Sequence, residues 1–134
     1  MLGSTFDFLG FTHFWGVTRK GGWAVKRKTS RKRFSRALRA VNTWLKEHLH
    51  DSLDEQHQAL SRKLRGHYGY YGITGNSISL HRFRDAVTRL WRKRLMRRRR
   101  GWELSWASFK AILGDRVLPH ARCVHSVLSP AARA

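Results

Sequence analysis

Leu64-Arg-Gly-His-Tyr-Gly-Tyr-Tyr-Gly-Ile-Thr-Gly-Asn76 is the stretch on which the reading of this chain turns. It holds three tyrosines (Tyr68, Tyr70, Tyr71) and four glycines (Gly66, Gly69, Gly72, Gly75). Glycine admits positive φ and lets another backbone or a ligand come near, so the run marks a turn or a close approach. Tyrosine offers a flat ring with a polar tip, suited to a half-wet interface or to stacking on bases. Two readings stand together: a helix C-terminus that packs its aromatics and then turns, and a surface facing nucleic acid.

The flanks place this stretch between two helices. Upstream, Ser52-Leu-Asp-Glu55 is a capping-box pattern, with Ser52 as cap and Glu55 reaching back. Leu53, Gln56 or His57, Leu60, Leu64 and His67 or Tyr68 then recur at helical spacing, and the helix is expected to end near Gly72. Downstream, Ser77 or Ser79 opens a helix to about Arg100, with Leu80, Phe83, Val87, Leu90, Trp91 and Leu95 as its apolar stripe and Gly101 ending it. Ten residues from Arg82 to Arg100 are basic, and Asp85 is the one acid among them. The glycines then read as a tight corner, with at least one tyrosine packing the bundle.

Further out, Thr29 or Ser30 caps a helix to about His48, with Phe34, Leu38, Val41 and Leu45 on one face. Arg31, Lys32, Arg33, Arg36 and Arg39 cover much of the rest, and no acid lies between Asp7 and Glu47. Cations in the first turns oppose the helix dipole, a local cost that a bound phosphate would relieve. Residues 6–28 read as strand, turn, strand. Phe6, Phe8, Phe11, Phe14, Trp15 and Val17 form the apolar first half, and Thr18–Gly22 the turn. A lone hairpin is marginal in water, so it is expected to lean on the helices or on a sheet outside this chain. Ser105 caps a short fourth helix with Trp106, Phe109, Ile112 and Leu113, stopping at Gly114. The tail beyond, with Pro119 and Pro130, is expected to be extended or frayed.

The 134 residues carry 28 Lys plus Arg against 8 Asp plus Glu, a formal charge of +20. Self-repulsion at that charge opposes compaction, and a polyanion would complete the system; nucleic acid is the commonest. No apolar run is long enough to span a bilayer and the N-terminus lacks a signal-peptide pattern, so no membrane partner is expected. One cysteine, Cys123, excludes an internal disulfide and fits a reducing, cytoplasmic compartment. Six Trp, seven Phe and three Tyr argue for a real core with rings left over for recognition.

Catalytic chemistry is thinly represented. The carboxylates are scattered, and Asp54-Glu55 sits in a capping context. The histidines do not combine with Cys123 at metal-ligand spacing, so no metal and no cofactor is expected. Gly66-x-x-Gly69 lacks the strand before it and the Lys-Ser/Thr after it that a phosphate loop needs. What is present is arginine interleaved with aromatics; Arg contacts phosphate bidentately and stacks on bases, which Lys does not.

These residues resemble a known family. Phe6-Asp-Phe-Leu-Gly-Phe11 is similar to the motif that closes the palm of group II intron reverse transcriptases. Thr12-His-Phe-Trp-Gly16, Lys26-Arg-Lys-Thr-Ser30 and Leu64–Asn76 look like the thumb, or maturase-specific, region of bacterial members. Leu104-Ser-Trp-x-x-Phe109 and Val124-His-Ser-Val-Leu-Ser-Pro130 look like its C-terminal end. The match runs from Thr5 over nearly the whole chain, with its motifs in order.

The resemblance implies a mainly α fold: a three-helix thumb-like bundle with a short C-terminal helix, preceded by a β-hairpin from the palm edge. The corresponding divisions are 1–28 (end of the palm), 29–101 (thumb) and 102–134 (C-terminal helix and tail). It implies an RNA-binding portion that holds group II intron RNA and template–primer duplex, assisting splicing and reverse transcription. The fingers, most of the palm, the Tyr-x-Asp-Asp motif and a His-Asn-His nuclease module are absent from this sequence, so the chain should not polymerise. It is expected to be a fragment or a truncated reading frame, with the missing fingers and palm as a further partner and Phe6, Phe8, Phe11 and Phe14 facing that palm. Expected phosphate contacts are Arg27, Lys28, Arg31, Lys32, Arg33, Lys63, Arg65, Arg92 and Arg94, with His67, Tyr68 and Tyr71 toward RNA or duplex. A free-standing small basic RNA- or DNA-binding protein is the alternative, and a nuclease or deaminase fragment a third reading.

Overall fold

The computed structural model of the chain describes residues 5–98 and 103–123. The elements run β1 (Phe6–Phe8), β2 (Phe11–Val17), β3 (Trp23–Thr29), α1 (Arg31–Glu47), α2 (Leu53–Tyr71), α3 (Ser77–Arg98) and α4 (Trp106–Leu113). The mainly helical architecture with an N-terminal antiparallel unit agrees with the sequence reading. The expected Gly101 stop, Arg99 and Arg100, and the Val124–Pro130 stretch lie outside the described residues.

The hairpin is a three-stranded antiparallel sheet in the order β1-β2-β3. Phe8 pairs Phe11, so Leu9-Gly10 is a two-residue turn with φ of 54° and 88°. Positive φ at both central positions is the pattern whose twist matches the flanking strands. Leucine rarely adopts it, which is why the apolar run 6–17 read as one strand. The second turn falls where expected: the Gly21 N–H donates to the Thr18 carbonyl at 3.0 Å. The pairings Phe11↔Thr29 and Phe14↔Lys26 set the two phenylalanines on opposite faces of the sheet. Phe11 is buried in this chain's own core, and Phe14 lies under the Lys28 ammonium. Of the four phenylalanines expected to face the palm, Phe11 thus packs in this chain's own core and Phe14 lies on the opposite side of the sheet; Phe6 and Phe8 share the side of Phe11 but stay exposed at its edge.

Helix starts follow the caps. Ser30, Ser52 and Ser105 precede α1, α2 and α4, and their hydroxyls accept the N–H of Arg33 (3.3 Å), Glu55 (3.1 Å) and Ser108 (3.1 Å). The apolar stripes meet as the periodicity requires. Val41 and Leu45 of α1, Leu60 and Leu64 of α2, and Leu80, Phe83, Val87, Trp91 and Leu95 of α3 form one core with Phe11, Leu104, Phe109 and Leu118. Phe34 meets Phe83 edge-on at 5.5 Å and Trp91 meets Phe109 at 6.0 Å, both geometries that aromatic pairs favour. Gln56 is 1% exposed, accepts the Trp91 indole N–H at 2.9 Å and donates to the His48 carbonyl at 2.9 Å, so its burial leaves little unmet demand.

The segment after α4 is extended, as expected, but up to Cys123 it is tied down rather than frayed. Leu118 is buried. The Arg84 guanidinium donates to the carbonyls of Leu118 (3.0 Å) and Pro119 (3.1 Å), and the Tyr68 hydroxyl donates to Pro119 at 2.9 Å. Arg116 pairs Asp54 at 2.7 Å.

Candidate nucleic-acid interface

The glycine–tyrosine stretch divides in two. Gly66 and Gly69 lie inside α2, with nothing within 4 Å of where a Cβ would stand. The turn begins only at Gly72, and Gly75 supplies its positive φ of 92°. The rings mostly point inward. His67 stacks on Phe83 at 3.8 Å with the planes 5° apart, and its Nε2 has no partner among the described residues. Burial lowers its pKa to about 4. Tyr68 is 3% exposed, and burial raises its hydroxyl to about 12, where it remains a donor. Tyr71 is 8% exposed, and burial raises its hydroxyl, an effect the nearby Arg33 guanidinium partly offsets. The structure places the rings expected to face nucleic acid, those of His67, Tyr68 and Tyr71, in this chain's own core. Tyr70 is the exposed one, and its hydroxyl donates to the Leu9 carbonyl at 2.8 Å.

The arginines of α3 are also not all free. The Arg92 Nε donates to the Leu104 carbonyl at 2.6 Å while its guanidinium lies 4.7 Å from the Trp106 ring. Arg94 donates twice to Asn42 Oδ1, at 3.0 and 2.8 Å. Arg98 donates to the Asp51 carbonyl at 2.8 Å. These groups staple α3 to α1 and to the connecting segments. Arg92 and Arg94, expected to hold phosphate, have these partners within the chain.

The remaining expected cations stay near the surface. Arg31, Lys32 and Arg33 are exposed in a first turn that contains no acid. Lys63 and Arg65 are exposed on α2, with Lys63 Nζ 5.4 Å from the Trp44 ring. Lys28 and Arg31 line an open groove of about 430 Å³ with Arg82, Thr12, Thr29, Ser79 and Asp7. The beginnings of α1 and α3 meet here, so Arg82 joins two of the expected residues from a distant part of the chain. Sequence reasoning missed it; the available signal was that the first turn of α3, like that of α1, carries no acid. Asp7 accepts the Thr12 hydroxyl at 2.6 Å. Arg27 sits half-buried on β3 and lines a second groove, of about 490 Å³, with Arg19, Lys20, Lys26 and the Thr74-Gly75 corner.

Chemically, the arrangement can bind anions. Arg116–Asp54 is the one ion pair among the described residues, so most cations lack a carboxylate partner there. No group of three His, Cys, Asp or Glu side chains that could hold a metal occurs among the described residues. No described helix is long and apolar enough to cross a membrane. The fold and surface define a small, strongly basic helical module carrying an antiparallel sheet. No protein-family model matches this chain, and no curated protein and no solved structure does so either.

Proposed function

We propose that this chain is an RNA-binding module: the thumb, or maturase, portion of a group II intron reverse transcriptase, holding intron RNA and template–primer duplex. The observation that carries the reading is the groove where Lys28, Arg31 and Arg82 converge beside the acid-free first turns of α1 and α3. Helix N-termini and cations without a carboxylate partner at one place favour phosphate oxygens, with Asp7, which holds the Thr12 hydroxyl, the one acid on the groove. Lys32 on α1 and Arg65 on α2 extend the cationic surface beyond the groove. The chain itself brings no polymerase chemistry to this role: it binds and positions.

A second reading is a free-standing basic RNA-binding protein. It is favoured by the single core that joins sheet, helices and the 118–121 segment. Competition separates the two. Labelled group II intron RNA bound to the full chain is challenged with an unrelated structured RNA of equal length. Retention of the intron RNA against excess competitor supports the maturase reading. Equal displacement by either RNA overturns it in favour of the general binder.

A further inference from the structure

The sheet carries a second surface of a different kind. Phe6 pairs His13, Phe8 pairs Phe11 and Trp23 pairs Val17, and Trp15 lies two residues from His13 along the same strand. Paired residues share a face and strand positions alternate, so Phe6, Phe8, Trp15 and Trp23 all project from one side, the side on which Phe11, His13 and Thr29 are buried; the four rings are the part of it that the helices leave uncovered. They are 59%, 59%, 46% and 56% exposed. A soluble protein rarely leaves four large rings open on one face without a use for them. Phe6 already lies flat on His13, with centroids 4.7 Å apart and planes within 5°, so part of the surface is a level aromatic step.

What covers this face is indicated by its charge. Arg27 pairs His13 and so stands on the same side, and Arg19 and Lys20 occupy the turn at its end. No acid lies between Asp7 and Glu47. A second copy of the chain would bring a like charge of +20 against this rim, which opposes self-association. Exposed rings with a cationic border are the combination that holds an unpaired strand: bases stack on the rings and phosphates meet the cations.

We propose that this sheet face binds single-stranded nucleic acid, with bases stacked on Phe6, Trp15 and Trp23 and the backbone neutralised by Arg27, Arg19 and Lys20. The inference rests on the reading of the polyanion as nucleic acid, and adds a strand-selective surface apart from the groove at Arg31 and Arg82.

The test uses the full chain and three fluorescent probes: a uridine dodecamer, an abasic strand with the same number of phosphates, and an RNA duplex of that length. The expected result is binding of the uridine strand ~10- to 100-fold tighter than the abasic strand, since each stacked base contributes on that scale. The Trp15→Ala/Trp23→Ala variant should close that gap, keep its duplex affinity and melt at an unchanged temperature. Equal affinity for uridine and abasic strands overturns the proposal while leaving duplex binding to stand for the proposed function. Failure to bind any of the three overturns both. A dimer that dissociates in the double variant also overturns it, because a second copy then occupies the face.

Discussion

The side chain of Asn76 closes the sheet onto the helices through Thr29. Its Oδ1 accepts the Thr29 N–H at 2.9 Å and its Nδ2 donates to Thr29 Oγ1 at 2.9 Å and to the Tyr71 carbonyl at 2.8 Å. Asn76 is 1% exposed. One amide thus joins the end of β3, the end of α2 and the approach to α3. Asn76→Ala leaves the buried Thr29 N–H without its acceptor, and an unmet buried donor costs about 1–3 kcal/mol. The expected outcome is a loss of that order in chemical unfolding. Asn76→Asp keeps the acceptor but buries a carboxylate against the Tyr71 carbonyl, and should destabilise at least as much as the alanine variant.

His67 makes stability depend on pH. Burial lowers its pKa from 6.5 to about 4. The unfolded ring takes a proton below pH 6.5 while the folded ring stays neutral until about pH 4. The unfolded state therefore binds more protons in that window, and stability falls as pH falls through it, by roughly 3 kcal/mol in all. Above the window this contribution is fully present. His67→Phe keeps a ring against Phe83 and removes the titration. Urea midpoints measured near neutrality and at about pH 4.5 should differ less in the variant than in the parent.

Gly66 is a site where stability can be gained. It lies in the middle of α2, exposed, with open space where a Cβ would be. Glycine in a helix interior costs roughly 0.5–1 kcal/mol relative to alanine. Gly66→Ala should therefore raise the melting temperature, measured by circular dichroism. Gly10→Ala is the contrasting control: at φ 88°, with Tyr71 Oη 3.1 Å from the new Cβ, it should destabilise.

Much of this fold was legible because local chemistry and burial agreed. Ser30, Ser52 and Ser105 announced three helix starts, and the stripe from Leu80 to Leu95 announced the buried side of α3. The extra strand was not legible, because it depends on Leu9 adopting a left-handed conformation that leucine seldom takes. Its neighbours stabilise that turn: the Tyr70 hydroxyl holds the Leu9 carbonyl, and Gly10 sits over the Tyr71 ring. The site was legible by charge and not by geometry. Arg92, Arg94 and Arg82 look alike in sequence, yet Leu104 and Asn42 engage the first two, and only the convergence of α1 with α3 brings Arg82 to Lys28 and Arg31. The place of the tyrosines was hidden for a related reason: a ring suited to stacking on a base is equally suited to a core.

That division can be measured. Arg94→Ala removes two hydrogen bonds to Asn42 and should lower stability by about 1–2 kcal/mol while leaving the salt dependence of RNA binding unchanged. Arg31→Ala should do the reverse. It should alter stability by no more than about 0.5 kcal/mol and reduce the slope of log affinity against log salt by about one phosphate contact. Melting curves and binding titrations on the two variants give both readouts.

The central claim is that the unpaired cations of this surface neutralise nucleic-acid phosphates. Its most direct test is the affinity of the full chain for a structured RNA, titrated by filter binding across a range of salt. If some six to ten phosphates are contacted, affinity falls about 10³- to 10⁵-fold between about 50 and 200 mM salt. A steep linear fall of that size is the expected result. A flat response, or no binding at about 50 mM salt, would contradict it.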